Sequence, residues 1–129
     1  MRLLLDTHIL IWALGEPKRL PKEIRAALES PDNEILFSAA SIWEIAIKTQ
    51  IGRANFKASP DEIIAAALES GFAELPVRAG HGARTTSLPL HHRDPFDRLL
   101  VAQAISEPCR LVTADAALGA YSELVVVVR

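Results

Sequence analysis

Five carboxylates in this chain stand where a carboxylate can do chemistry: Asp6, Glu44, Asp94, Asp97 and Asp115. Asp6 ends the apolar run Leu3-Leu4-Leu5, and Asp115 closely follows Leu111-Val112-Thr113. Short unbroken apolar runs fit strands buried on both faces of a parallel sheet. Open α/β sheets bind ligands beyond the carboxyl ends of their strands. Glu44 lies within Ile42-Trp43-Glu44-Ile45-Ala46-Ile47, and Asp97 heads a helix-like stretch carrying Leu99, Leu100 and Ala102. If these elements are neighbours, the carboxylates converge at one sheet edge. Bare carboxylates about 4 Å apart repel by on the order of 4 kcal/mol per pair at an effective dielectric of 20. A bound cation or a proton offsets that repulsion. Hard oxygen donors without a cysteine cluster point to Mg²⁺ or Mn²⁺.

Taken singly, each acid has a plainer explanation. Asp6 and Asp115 sit where a short polar residue caps the following helix, and on position alone the cap explains Asp6 as well as ligation does. Glu44 and Lys48 are spaced i,i+4, a surface pair worth only about 0.2–0.5 kcal/mol. A helix apolar nearly all round is mostly buried, however, and a buried acid needs a partner. Asp94-Pro95-Phe96-Asp97 reads as an N-cap, a first-turn proline and a third-position acid. Two acids in one turn exceed what a cap requires, although the helix dipole favours both. Asp94 thus stays open as a cap, an outer metal contact or a support for Asp97.

The other chemistry-bearing residues compete poorly. His8, His81, His91 and His92 form no HExxH helix and no zinc-type spacing. His91, His92, Arg93 and Arg98 flank the acids and either meet phosphates or are solvated loop charges. Trp12 and Trp43 read as core rather than stacking platforms. No glycine-rich phosphate loop and no Gly-x-Ser-x-Gly elbow occurs.

The elements that must position these groups alternate. Strands are expected over Arg2–Leu5, Glu34–Phe37, Phe72–Leu75, Arg110–Thr113 and Leu124–Val128. Helices are expected over Thr7–Leu14, Lys22–Glu29, Ser41–Ile51, Pro60–Glu69 and Pro95–Ser106, with a short one after Asp115 and another within Val77–Leu88. Ser59-Pro60-Asp61-Glu62 carries a capping-box pattern, and Gly52 and Gly71 close the helices before them. Strands alternating with helices mean a parallel, helix-covered sheet. At 129 residues, 50% apolar and 23% charged, the chain suits one domain over residues 1–129. A net charge of −2 excludes coating of nucleic acid through bulk charge, but not a local basic rim. Cys109 alone gives no disulfide. No run approaches the roughly 20 apolar residues of a membrane span, so a cytoplasmic protein is expected.

With these residues assembled, the chain resembles the PIN-domain family, in particular the VapC-like ribonuclease toxins of type II toxin–antitoxin modules. The resemblance rests on Leu3-Leu4-Leu5-Asp6-Thr7-His8, Ser41-Ile42-Trp43-Glu44-Ile45-Ala46-Ile47-Lys48, His92-Arg93-Asp94-Pro95-Phe96-Asp97-Arg98-Leu99-Leu100 and Leu111-Val112-Thr113-Ala114-Asp115. Their order and completeness make the match specific. It implies a three-layer α/β/α sandwich around a five-stranded parallel sheet. It also implies catalytic and metal-binding acids at Asp6, Glu44, Asp97 and Asp115, with Thr113 as the polar residue before the last acid. Arg98, His92, Arg93 and Asp94 remain candidates to support those acids or to meet the substrate. The implied activity is Mg²⁺- or Mn²⁺-dependent cleavage of RNA. The implied partners are a cognate antitoxin and a second copy of the chain.

Two other readings fit part of the pattern. A haloacid-dehalogenase-like phosphatase would use Asp6 as a covalent nucleophile, but many such enzymes carry a second Asp two residues on, where this chain has His8. A non-catalytic interaction module would use the acids as caps and bind through apolar helices such as Ile63–Leu68.

Overall fold

The computed structural model describes residues 1–54 and 56–128. Five parallel strands form one sheet: β1 (Arg2–Leu5), β2 (Glu34–Ser38), β3 (Ala73–Leu75), β4 (Arg110–Thr113) and β5 (Val125–Val127), in the order β3-β2-β1-β4-β5. The chain builds outward from β1 to β3, then returns to start again at β4. The point where it reverses lies between β1 and β4, whose register pairs Leu5 with Val112. Open α/β sheets bind their ligands beyond such a reversal.

Among the described residues, six helices cover the sheet: α1 (Thr7–Gly15), α2 (Lys22–Glu29), α3 (Ala39–Gln50), α4 (Pro60–Glu69), α5 (Ala79–Arg84) and α6 (Pro95–Ser106). Alternate strand residues face opposite sides. Leu3, Leu5, Ile35, Phe37 and Val112 pack with Ile9, Leu10, Ile45 and Ile63 of α1, α3 and α4. Leu4, Leu36 and Leu111 pack instead with Leu100, Val101 and Ala104 of α6, and with Leu118. Two apolar layers around one sheet produce the expected α/β/α sandwich.

Several boundaries differ from those expected. Helix α3 begins at Ala39 rather than Ser41, because the Ser38 hydroxyl accepts the Ala40 amide at 3.0 Å and turns β2 straight into the helix. That hydroxyl donates to Oε1 of Gln103 at 2.6 Å, joining β2 to α6 through buried polar groups. The helical stretch after Asp115 is a 3₁₀ segment, Ala116–Ala120, and Val77–Leu88 resolves into α5 and a 3₁₀ turn at Thr85–Ser87. The last strand is shorter, Val125–Val127. The capping box of α4 forms as expected: Glu62 N–H donates to Ser59 Oγ at 3.2 Å, and Ser59 N–H to Glu62 Oε1 at 2.9 Å. Gly52 and Gly71 follow α3 and α4 with φ of 73° and 86°, the left-handed backbone that favours glycine.

Candidate active site

Asp6 follows β1 directly and is buried. Its Oδ1 accepts the Ile9 amide at 2.9 Å, capping α1, while its Oδ2 accepts the Thr113 hydroxyl. Thr113 ends β4, and the same hydroxyl accepts the Asp115 amide at 3.0 Å. One buried threonine thus joins the two acids across the strand pair. Asp115 caps the 3₁₀ segment through Oδ1, which accepts the Ala117 amide at 3.0 Å. Its Oδ2 lies 2.8 Å from Nε2 of His92.

Helices α3 and α6 supply the other acids. Glu44 is buried, with Oε1 accepting the Thr7 hydroxyl at 2.6 Å and Oε2 paired with Lys48 Nζ at 2.7 Å. The i,i+4 pair therefore exists, but on a buried acid rather than a solvated face. Asp94 caps α6 through Oδ1, which accepts the Phe96 and Asp97 amides at 2.8 and 3.1 Å. Asp6, Glu44, Asp94, Asp97 and Asp115 line one open cavity of about 290 Å³, together with His8, Trp12, Lys48 and Ala114. Burial pushes the Asp6 carboxyl above the usual range, against the lowering effect of its bonds from Thr113 and Ile9. Burial first, then the like charges of Asp94, Asp6 and Glu44, pushes Asp97 up to about 7. These acids do not share one cavity comfortably as bare anions.

The model for the PIN domain family matches residues 3–124. The chain belongs to the PIN-domain family. It is 32% identical over 119 residues to Ribonuclease VapC22 of Mycobacterium tuberculosis, covering 92% of this chain and 90% of that protein. A chain of the VapBC2 structure from Rickettsia felis, bound to a DNA fragment from their promoter, superposes with a TM-score of 0.72 at 16% identity, covering the whole of both chains. FitAcB from Neisseria gonorrhoeae matches with a TM-score of 0.52 at 18% identity over 90% and 89% of the two chains. The phosphatase-like reading of Asp6 falls with this assignment.

The cavity of this PIN domain gathers the four acids expected at its heart and adds Asp94. It does not place them in one coordination shell. Among the described residues, the group whose ligand atoms all lie within 4.8 Å of one another is His92, Asp97 and Asp115. Asp6 and Glu44 line the same cavity from its buried side. Clustered carboxylate oxygens, one of them pushed up to about 7 by burial and by its neighbours' like charges, are a donor set that fits a hard divalent cation.

Arg98 directs its guanidinium at the chain itself: Nη1 donates to the Pro89 carbonyl at 2.9 Å and the Tyr121 hydroxyl at 3.1 Å, and Nη2 to the Thr85 carbonyl at 2.8 Å. It clasps the segment before α6. Arg93 is exposed. Trp43 is 63% exposed rather than core, because α3 buries the side carrying Ala40, Ser41, Glu44 and Ile45; its ring meets Phe96 edge-on at 5.4 Å. Trp12 packs partly on the core yet lines the acidic cavity. Thr7 was not among the expected site residues. Its place beside Asp6, on the first turn of α1, is the signal that identifies it as a group able to reach the site.

Proposed function

We propose that the protein is a metal-dependent endoribonuclease, the toxin of a type II toxin–antitoxin pair. The observation that carries this reading is the convergence of five carboxylates in one cavity at the reversal point of a PIN-domain sheet. Asp97 and Asp115 would hold Mg²⁺ or Mn²⁺ directly, with Asp6 and Glu44 behind them. A divalent ion at such a site lowers the pKa of water and neutralises charge developing on a phosphate.

The chain's own residues do the positioning. Thr113 fixes the spacing of Asp6 and Asp115, and Lys48 and Thr7 fix Glu44. Three capped N-termini, those of α1, α6 and the 3₁₀ segment, direct positive dipole ends toward the same edge. Those ends offset part of the charge of the three capping carboxylates, Asp6, Asp94 and Asp115, in a chain of net charge −2.

An antitoxin protein and a second copy of the chain are the partners that accompany this reading, and exposed Trp43, Ile51 and Leu68 offer apolar contact area. No helix among the described residues is long and apolar enough to cross a membrane. The test is cleavage of single-stranded RNA by the purified chain with Mg²⁺ or Mn²⁺, with excess EDTA, and by Asp97→Asn. Cleavage lost in EDTA and in the variant is expected. Full activity under either condition refutes the proposal.

A further inference from the structure

We propose that His92 is a positioning residue of the acidic site, a neutral imidazole that donates its Nε2 proton to Asp115 rather than a nitrogen ligand of the ion. The inference rests on the metal-nuclease reading above. Distances alone group His92 with Asp97 and Asp115 as chelators; hydrogen bonding separates it from them. The Asp94 amide donates to Nδ1 of His92 at 3.0 Å. A backbone N–H has only a proton to give, so Nδ1 holds the lone pair and the neutral ring carries its proton on Nε2. That nitrogen lies 2.8 Å from Oδ2 of Asp115 and 3.6 Å from Oδ2 of Asp97. To ligate through Nε2 the ring would have to move its proton to Nδ1, directly against the Asp94 N–H.

The chain uses the same device away from the cavity. His81 accepts the Arg78 amide on Nδ1 at 2.9 Å and meets Oε2 of Glu107 through Nε2 at 2.8 Å. At His92 the mounting is firmer. Its own amide donates to the Tyr121 hydroxyl at 2.8 Å, and Arg98 donates to that hydroxyl at 3.1 Å while clasping the carbonyls of Thr85 and Pro89. Asp115 is consequently held through its amide by Thr113, through Oδ1 by Ala117 and through Oδ2 by His92. Its side chain is 41% exposed, so the imidazole supplies what burial does not: a fixed orientation for the outer carboxylate. Outer hydrogen bonds of this kind orient metal ligands and tune their basicity.

The experiment is a Mn²⁺ titration of the full chain by EPR, with pulsed EPR of the bound ion, on wild type, His92→Gln, His92→Leu and Asp97→Asn. The expected result is Mn²⁺ bound without hyperfine coupling to a directly coordinated ¹⁴N. His92→Leu should bind Mn²⁺ about 10–100-fold more weakly. His92→Gln, whose amide N–H reaches toward the Nε2 position, should recover most of that loss. A directly coordinated nitrogen that disappears in His92→Gln overturns the proposal, as does wild-type affinity in His92→Leu. If His92→Leu fails to fold, the nitrogen signal of wild type against His92→Gln decides. Binding lost in Asp97→Asn but unchanged in His92→Leu overturns this inference alone, whereas no Mn²⁺ binding by wild type overturns the metal reading with it.

Discussion

Asp97 burdens the fold, and one substitution should reveal by how much. In metal-free protein its carboxyl rises from the usual 3.8 to about 7. Between those values the folded chain holds a proton that the unfolded chain has released. Stability therefore falls as pH rises through that window, and the destabilisation is complete above about pH 7. A rise of about three pH units, at about 1.36 kcal/mol each, sets a ceiling of about 4 kcal/mol. The side chain is 22% exposed, and solvent screening brings the expected figure to about 1–2 kcal/mol. Asp97→Asn keeps the shape and removes the charge. Nε2 of His92 is 3.6 Å from the carboxylate, too far for a good hydrogen bond to be lost. In EDTA at pH 8 the variant should be more stable than wild type by about 1–2 kcal/mol, roughly 4–8 °C in Tm. Below about pH 4 the two should converge. Added Mn²⁺ should reverse the order by stabilising wild type alone, by about 2.7 kcal/mol at 100 times Kd. Thermal denaturation followed by circular dichroism at pH 4, 6 and 8 measures all three effects. A variant no more stable than wild type at pH 8, or a gap independent of pH, refutes the electrostatic argument.

Three further outcomes follow from the same contacts. Thr113→Val deprives Oδ2 of Asp6 of its donor and leaves the Asp115 amide without its acceptor, so urea denaturation should show a loss of about 1–3 kcal/mol; calorimetry should show weaker Mn²⁺ binding as well. Gln103→Leu strips the Ser38 hydroxyl and the Pro76 carbonyl of their buried partner and should also cost about 1–3 kcal/mol. Here Mn²⁺ affinity should stay at the wild-type value, because Gln103 does not line the acidic cavity. Lys48→Met leaves buried Glu44 without its cation and should lower Tm in EDTA more than with saturating Mn²⁺, read from paired thermal melts.

The fold was legible wherever period and punctuation agreed. The apolar runs at Leu3–Leu5 and Leu111–Val112 read as buried strands because parallel strands are covered on both faces, and both lie inside the sandwich. Pro60 after Ser59 and Pro95 after Asp94 marked helix starts that the structure confirms. Legibility ended where a tertiary partner decides. Nothing local to Ser38 announces that its hydroxyl serves both Ala40 and a glutamine 65 residues away, so sequence alone puts the start of α3 two residues late. Trp43 reads as core by composition, and only the face that α3 turns inward shows otherwise. Arg98 sits beside the acids in sequence, yet its donors are drawn to carbonyls that come close only in the folded segment before α6.

The site itself was legible in its residues and illegible in its logic. The sequence sets capping against ligation as rival explanations for Asp6, Asp94 and Asp115. In the structure the two uses fall on different oxygens of one carboxylate. Oδ1 takes the helix amides in all three: Ile9 for Asp6, Phe96 and Asp97 for Asp94, Ala117 for Asp115. Oδ2 of Asp6 goes to Thr113, and Oδ2 of Asp115 to His92. A capping bond fixes a short side chain's rotamer and sets it against a positive dipole end, both of which a preorganised anionic ligand requires. A residue that caps a helix beyond a sheet's reversal point is thus already aimed at the ligand crevice. Asp97 tests that rule from the other side. It lies on the third residue of α6 and caps nothing, and its carboxyl is driven to about 7 by burial and its neighbours' charges. The acid without a structural use is thus one whose charge the fold resists, and a cation beside it would relieve that charge.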